Sequence, residues 1–386
     1  MPIGEKVIEK RLRGERLNLE DGILLYEADL MFLGRAAKEI RNRMHPEDQV
    51  TFIIDRNIYY TNVCVADCDF CAFYRRPGHK ESYTLDNEEI LGKIKALVDI
   101  GGTQVLIQGG LNPELRLDYY VNLIRTIRQA FPQVHVHSFS PPEIDIIAKL
   151  ERMTYQQVLA ALKEAGLNSL PGGGAEILVD RVRNIVSPKK ISADNWLRVI
   201  RAAHEVGLKT TASMVFGHVE TIEERIIHLL KLRDLQDETH GIRAFITWSM
   251  STKGTPGLSH LPMASGEDYL RTVAISRLML DNVPSIQSGW VTEGHKLAQV
   301  ALEFGANDMG GTLMEELVIG PTGINYKTTA QDLIRLIRGA GYQPAQRNTN
   351  YQIIQHFNLC PPLLSPRRNP IESKKFSQRL PRSMTF

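Results

Sequence analysis

The stretch DNEEILGKIKALVDIGGTQVLIQGG, residues 86–110, contains one complete unit of the predicted fold. Asp86 and Glu89 have the spacing of a capping box, which marks the start of a helix. Gly101 follows the helical residues, and a glycine just past a helix ends it because it adopts the left-handed conformation at little steric cost. Residues 104–108 then suit a buried strand. The stretch therefore predicts a helix that returns directly into a strand.

The same unit recurs along the chain, with helical stretches ending again at Gly166, Gly207 and Gly305. Further helix starts are predicted at Thr154, Ser192 and Thr221. Eight strands are predicted, at residues 51–55, 104–108, 134–138, 169–170, 210–215, 244–247, 286–290 and 307–310. Strands alternating with helices favour a parallel sheet, and eight such units favour an α/β fold of the (β/α)₈ TIM-barrel type. A doubly wound open sheet is the alternative.

The rest of the chain is predicted to surround this barrel, which spans residues 51–311. Residues 1–50 form an N-terminal helical cap, with ILLYEADLMFLGRAAKEI as one amphipathic helix over residues 23–40. A C-terminal extension follows over residues 312–360, with a last helix near residues 329–340 and a return across the barrel. Residues 361–386 hold five prolines and six Lys or Arg against one acidic residue, which predicts a disordered tail.

Composition narrows the classes of function. Lys plus Arg is 46 against 44 for Asp plus Glu, so no overall charge indicates a nucleic-acid or membrane partner. No run of 18 apolar residues predicts a spanning helix, and the charged start lacks the apolar region of a secretory signal. Four cysteines in 386 residues do not make a disulfide framework. We expect a cytoplasmic protein without nucleic-acid or membrane partners.

Three cysteines lie close together in YYTNVCVADCDFCAFYRRPGH, residues 59–79, just after the first predicted strand. Cys64, Cys68 and Cys71 have C-x₃-C-x₂-C spacing and would lie at the C-terminal face, where barrel enzymes carry their chemistry. Three thiolates can hold three corners of a [4Fe–4S] cube and leave one iron open. Cys360, beside the basic tail, is a poor fourth ligand. A zinc site with His79 and three inert buried cysteines are the alternatives.

This cysteine motif, with the aromatic Phe70 directly before Cys71, resembles that of the radical S-adenosylmethionine enzymes. The resemblance implies that S-adenosylmethionine chelates the open iron. It also implies that one electron, from a donor such as flavodoxin or ferredoxin, cleaves the cofactor to a 5′-deoxyadenosyl radical. The protein's tasks are then ligation, orientation and the exclusion of water.

Other residues at predicted strand ends are compatible with that cofactor. Gly109 and Gly110 follow the second strand, where bare backbone can approach a ligand closely. The superfamily usually has an acid next, but Leu111 stands here, so only the backbone role carries over. Ser140, in SFSPPEI, is a cofactor candidate after the third strand, and Glu176, in PGGGAEI, has a carboxylate suited to ribose hydroxyls. A plain tight turn is the alternative for PGGGAEI.

Whole segments extend the resemblance over residues 50–355. They are RNIYYTNVCVADCDFCAFYRRPGH, LIQGGLNP, HSFSPPEI, LPGGGAEIL, FGHVET, GANDMGGTLMEE and PAQRNTNY. The series resembles the futalosine cyclases (cyclic dehypoxanthinyl futalosine synthases) of menaquinone biosynthesis. The resemblance implies dehypoxanthine futalosine as substrate, hydrogen abstraction from its ribose C4′ and ring closure on its benzoate. Aminofutalosine synthase and the deazaflavin (F0) synthase subunits are alternatives, and a non-enzymatic metal-binding protein is a distant one.

Such a reaction needs a base for a ring proton and a cation or N–H donors for the benzoate carboxylate. The predicted catalytic residues are His218 and Glu220 after the fifth strand and Asp308 at the eighth. A structural histidine is the alternative for His218. Candidates for substrate contacts are Trp248, Gln287 and Trp290. Arg75, Arg76 or Arg347 could hold the carboxylate, and Glu315 and Glu316 are further candidates for the base.

Overall fold

Parallel strands curl into a barrel with helices on the outside in the computed structural model of the chain, which describes residues 2–357. The strands are β1 (Gln49–Ile53), β2 (Asp55–Tyr59), β3 (Gln104–Gln108), β4 (His135–Ser138), β5 (Ser169–Leu170), β6 (Lys209–Phe216), β7 (Ile242–Ser249), β8 (Ser285–Gln287), β9 (Asp308–Gly311), β10 (Gln343–Arg347) and β11 (Ile353–His356). β2 through β9 pair in chain order, and β9 returns to pair with β1, with Thr51 opposite Asp308. The predicted α/β barrel is confirmed.

Helices connect the strands and shield the outer face of the sheet. They are α1 (Ile3–Leu12), α2 (Leu19–Leu24), α3 (Leu30–Met44), α4 (Asn87–Asp99), α5 (Leu117–Ala130), α6 (Pro141–Glu151), α7 (Tyr155–Ala165), α8 (Asp180–Val186), α9 (Ala193–Glu205), α10 (Ile222–Thr239), α11 (Gly266–Met279), α12 (Gly294–Val300) and α13 (Ala330–Gly339). The predicted capping boxes at Asp86, Thr154 and Thr221 are confirmed, as is the N-cap at Ser192. No helix within residues 2–357 is long and apolar enough to cross a membrane.

The first barrel strand is longer than predicted and changes partners at Ile54. β1 pairs with β9 and β10, whereas β2 pairs with β3, with Asp55 opposite Gln104. The two halves therefore act as one strand that closes the barrel. This geometry brings the side chain of Asp55, which was expected only to end a strand, to the barrel interior.

The single helix predicted over residues 23–40 is wrong. α2 ends there in a short 3₁₀ turn, Leu25–Glu27, and Ala28 is extended. The Asp29 carboxylate then accepts the N–H of Phe32 and starts α3. An aspartate that caps the next helix in this way interrupts an amphipathic pattern that looks continuous in sequence.

The C-terminal return adds two strands that the sequence did not predict. β10 lies parallel to β1, and β11 lies antiparallel to β10. β10 carries Arg347 into the barrel, where its side chain is buried. The predicted division at residues 50 and 311 stays a prediction, and Cys360 and the basic tail lie outside the described residues.

Candidate functional site

The three cysteines lie on the loop between β2 and α4 and border one cavity at the C-terminal ends of the strands. Backbone hydrogen bonds fix the loop, because Cys64 N–H donates to the Arg75 carbonyl and Val65 N–H donates to the Leu111 carbonyl. Cys64 and Cys68 are buried, and Cys71 is half-buried. We call this space the cysteine cavity. Its other residues include Phe70, Gly109, Gly110, Ser140, Glu143 and Lys190.

Two glycines let the loop after β3 pack closely against the cysteine loop. A Cβ atom at Gly110 would lie 2.1 Å from the Val63 carbonyl oxygen, and one at Gly109 would lie 2.6 Å from the Tyr60 ring. Both distances are far inside van der Waals contact, so larger residues would push the loops apart. Gly109 and Gly110 thus lie where the sequence placed them, with backbone on the cavity wall; their contact with a cofactor stays a prediction.

The surroundings of Cys64 and Cys68 disfavour the deprotonated form of each thiol. Burial raises the pKa of Cys64, and it raises the pKa of Cys68 to about 12, with Lys190 opposing the shift in both cases. Bound iron supplies the charge that keeps such ligands deprotonated. Within residues 2–357, no three or more His, Cys, Asp or Glu side chains surround one point closely enough to hold a metal ion. All three thiols border the cysteine cavity, and three thiolates can hold three corners of a [4Fe–4S] cluster.

A buried carboxylate stiffens the wall of the cysteine cavity. Glu143 accepts hydrogen bonds from the Tyr60 hydroxyl at 2.9 Å and from Gly109 N–H at 3.2 Å. It also accepts from both the N–H and the hydroxyl of Ser140, the residue that precedes α6. Burial raises the pKa of Glu143 to about 7, although all four donors act against the shift. Ser140 therefore borders the cavity with its hydroxyl committed to Glu143, and its contact with a cofactor stays a prediction.

Glu176 is absent from the described residues that line the cysteine cavity. Its carboxylate is buried between two cations, with Arg183 Nη1 at 3.0 Å and Lys190 Nζ at 2.7 Å. Lys190 does border the cavity, and its Nζ lies 4.9 Å from the centre of the Phe70 ring. The predicted contact between Glu176 and a ribose stays a prediction, and the geometry gives Glu176 a partner that the sequence did not indicate.

A second cavity occupies the interior of the barrel and adjoins the first. Gln108 and Gly173 border both cavities. We call this second space the lumen. Its polar and aromatic lining includes Asp55, Gln104, His137, Ser213, Trp248, Gln287, Arg347 and Tyr351. A molecule in the lumen would therefore lie next to a ligand of the cysteine cavity.

Asp308 acts on the lumen through Arg347. Its carboxylate is fully buried and binds Arg347 in a bidentate pair, with distances of 2.5 and 3.0 Å. Thr51 Oγ1 donates a further hydrogen bond to Asp308. The Arg347 guanidinium also stacks 3.9 Å from the centre of the Tyr351 ring. Asp308 is absent from the described lining of either cavity, so its contacts are those of a residue that orients Arg347.

Asp55 and His137 are two titratable lumen residues that the sequence analysis missed. Asp55 accepts hydrogen bonds from Leu313 N–H and from Gln104 Nε2. Burial raises the pKa of Asp55 to about 6. Burial also lowers the pKa of His137 well below its ordinary value, with His135 and nearby arginines adding to the effect. A lone acid in the apolar run TFIID was the available signal for Asp55.

His218 and Glu220 lie together in the turn after β6, but they border neither cavity within the described lining. His218 Nδ1 accepts the N–H of Val219, and Nε2 lies 2.9 Å from the Val215 carbonyl. Glu220 accepts from Gly217 N–H, His218 N–H and Arg225 Nε. These contacts stabilise the turn, and the geometry adds no support to the predicted catalytic role.

We expect Glu220→Gln to act on stability. The change weakens a buried acceptor of three hydrogen bonds, one of them from a guanidinium, so the free energy of unfolding should fall by about 1–3 kcal/mol. Chemical denaturation of the variant measures this effect. A turnover loss without any loss of stability would instead support the catalytic role.

The remaining candidates, which were predicted to contact the substrate, to bind its carboxylate or to act as the base, fall into two groups. Trp248, Gln287 and Arg347 line the lumen. The others are engaged elsewhere: Arg75 with Glu81, Arg76 with Asp67, Glu315 with Arg56 and Lys93, Glu316 with Tyr59, and Trp290 with the Gly311 carbonyl.

Comparison with known proteins agrees with this geometry. A model of the radical SAM superfamily matches residues 58–232, and a model of the CofH/MqnC C-terminal region matches residues 239–359. The chain is 47% identical to the cyclic dehypoxanthine futalosine synthase of Halalkalibacterium halodurans, over 91% of this chain and 95% of that protein. It is 39% identical to the aminodeoxyfutalosine synthase of Thermus thermophilus, over 92% and 96%. Methylornithine synthase has the same fold, with a TM-score of 0.68 at 18% identity over 88% and 97% of the two chains.

Proposed function

The chain belongs to the CofH/MqnC family of radical S-adenosylmethionine enzymes, and we propose that it converts dehypoxanthine futalosine to cyclic dehypoxanthinyl futalosine in menaquinone biosynthesis. The observation that carries this proposal is the 47% identity to a cyclic dehypoxanthine futalosine synthase over nearly the full length of both proteins. The aminodeoxyfutalosine synthase of Thermus thermophilus, which aligns over a similar share of both chains, is 39% identical to this chain.

Membership of this family implies a [4Fe–4S] cluster and S-adenosylmethionine. Together, when bound, they supply a 5′-deoxyadenosyl radical that abstracts a hydrogen atom. Cys64, Cys68 and Cys71 would hold three irons. Gly109 and Gly110 would offer backbone to the cofactor, beside Phe70 and Ser140. A donor such as flavodoxin or ferredoxin would deliver the electron, in the reducing cytoplasm.

The lumen is the proposed substrate chamber. Gln108 and Gly173, which border both cavities, mark the junction where the ribose would lie against the cofactor. The benzoate would then extend toward Trp248 and Tyr351, whose rings offer flat apolar surface. Arg347 is the proposed partner of the benzoate carboxylate, because Asp308 holds Nε and Nη2 and leaves Nη1, which lies 3.3 Å from the Asn348 carbonyl.

Asp55 is the proposed acceptor of the ring proton, and the electron that must leave with that proton would return to the oxidised iron–sulfur cluster. Its raised pKa of about 6 lies close to neutral pH, where a carboxylate is both ionised and able to take a proton. Gln104 Nε2 and Leu313 N–H orient the carboxylate at the lumen wall. The neutral His137 lines the same chamber and provides a polar surface without a competing charge.

We expect Asp55→Asn to lower cyclised product by about 10²–10⁴-fold while 5′-deoxyadenosine still forms, because only the proton acceptor is lost. The ratio of the two products by mass spectrometry measures this. In the unmodified enzyme the same ratio should fall as pH drops through about 6, where Asp55 becomes protonated. An unchanged ratio in Asp55→Asn would remove Asp55 from the reaction.

A substrate panel tests the proposed function against its relatives. The reconstituted enzyme is incubated anaerobically with reductant and S-adenosylmethionine, and with dehypoxanthine futalosine, an enolpyruvyl benzoate or tyrosine in separate reactions. We expect cofactor consumption with the futalosine and a product lighter than it by two hydrogens. Consumption driven by the enolpyruvyl benzoate would indicate aminofutalosine synthase, and consumption driven by tyrosine would indicate a deazaflavin synthase subunit; either result overturns the cyclase proposal.

A further inference from the structure

We propose that the Lys190 ammonium, held in place by Glu176, raises the reduction potential of the bound iron–sulfur cluster. The inference rests on the cluster-binding part of the proposed function and not on the identity of the substrate. Lys190 is a positioning residue here, since its charge acts on the cluster without taking part in ligation.

Lys190 lines the cysteine cavity beside the loop that carries the three cysteines. Its Nζ lies 4.9 Å from the centre of the Phe70 ring, and Phe70 lies between Cys68 and Cys71 in the chain. Only 15% of the Lys190 side chain is exposed, so water screens its charge weakly. Lys190 lines the same cavity as all three cysteines.

Glu176, itself held by Arg183, fixes the position of the Lys190 ammonium. Lys190 Nζ lies 2.7 Å from Glu176 Oε1, and the Glu176 side chain is 3% exposed. Arg183 holds the other carboxylate oxygen at 3.0 Å and is itself 2% exposed. Arg183 also donates to the carbonyls of Gly174, Ala175 and Ile191, which ties both sides of the arrangement to backbone. Glu176 has a positive φ of 41°, a conformation that packing must enforce in a residue other than glycine.

The charge state of Lys190 reflects its neighbours. Burial acts to lower the pKa of Lys190, but the ion pair with Glu176, at 2.7 Å, opposes this effect and favours the protonated form. Lys190 is therefore a permanent cation at physiological pH.

A fixed cation near a redox centre stabilises the form that carries more negative charge. Reduction adds one electron to the cluster, so Lys190 favours the reduced form and raises the potential. The Glu176 carboxylate has the opposite sign and lies farther from the cavity, so it partly offsets Lys190. Removal of the two charges should therefore shift the potential in opposite directions, which a purely structural role would not do.

Potentiometric titration of the reconstituted holoprotein tests this, with dithionite as reductant, redox mediators, and the paramagnetic signal of the reduced cluster as readout. S-adenosylmethionine and substrate are omitted, so the result does not depend on the reaction catalysed. Lys190→Met keeps the apolar stem and removes the charge, whereas Lys190→Arg keeps the charge. Lys189→Met is the matched control, since Lys189 is 59% exposed and pairs with Asp67 at the surface.

We expect Lys190→Met to lower the ratio of reduced to oxidised cluster at a given potential by roughly tenfold, which is about 59 mV for one electron. Glu176→Gln should raise that ratio, and Lys190→Arg and Lys189→Met should leave it within about threefold of the unmodified protein, the scale of a surface charge effect. Iron content is measured for every variant. Shifts of the same sign in Lys190→Met and Glu176→Gln, or no shift in either, overturn the inference. If the Lys190→Met protein binds no iron, the Glu176→Gln protein decides the test: an unchanged reduction potential in that variant overturns the inference. An inactive cyclase with these shifts would refute only the substrate proposal.

Discussion

Replacing Cys68 with alanine should remove the iron–sulfur cluster and with it all formation of 5′-deoxyadenosine. Cys68 is 4% exposed and lies on the wall of the cysteine cavity between its two partners in sequence. Two remaining thiolates cannot hold a cube that needs three protein ligands and one open iron. Iron and sulfide analysis, the visible spectrum and the yield of 5′-deoxyadenosine measure the loss.

Cys360→Ala is the matched control for this prediction. Cys360 lies outside the described residues, and its separation from the motif in sequence gives it no ligand role. We expect this variant to retain iron and cofactor cleavage. A Cys68→Ala protein that keeps its cluster, or a Cys360→Ala protein that loses it, would overturn the ligand assignment.

We expect the replacement of Arg347 with methionine to lower both the stability of the protein and the yield of cyclised product. The change leaves the fully buried Asp308 carboxylate without its bidentate partner. Removal of one partner of a buried ion pair costs about 3–5 kcal/mol of unfolding free energy. The proposed contact with the benzoate carboxylate is lost as well, so cyclised product should disappear at substrate concentrations that saturate the unmodified enzyme.

A double variant separates these two effects. Arg347→Met combined with Asp308→Asn removes the unpaired charge, so we expect denaturation to show that much of the lost stability returns. Product formation should stay absent, because the cation for the substrate is still missing. Normal cyclisation by the double variant would show that Arg347 serves the fold alone.

Local signals in the sequence predicted much of the fold. The Gly101, Gly166 and Gly207 helix ends and the capping boxes act over a few residues, so their outcome depends little on distant parts of the chain. β3 and β5 have the predicted bounds because the helix ends and loops that flank these strands carry such local signals. The cysteine motif was legible for the same reason, since its ligands lie within eight residues.

The contacts that define the lumen depend on distant segments, and the sequence did not show them. Asp308 was predicted to be catalytic, and the sequence did not show that β10 brings Arg347 against it from 39 positions along the chain. Glu176 was predicted to bind a ribose, and the sequence did not show that a lysine fourteen residues later donates to one of its oxygens. His218 and Glu220 follow a strand end as catalytic groups often do, yet their hydrogen bonds close the turn. Pairings of this kind follow from packing rather than from local pattern.

The fate of the hydrogen at ribose C4′ tests the central claim most directly. Dehypoxanthine futalosine carrying deuterium at C4′ is incubated with reconstituted enzyme, S-adenosylmethionine and reductant, and the 5′-deoxyadenosine is analysed by mass spectrometry. We expect one deuterium in the 5′-deoxyadenosine and none at that position in the cyclised product. Unlabelled 5′-deoxyadenosine formed alongside a product that retains the deuterium would contradict the proposed cyclase reaction.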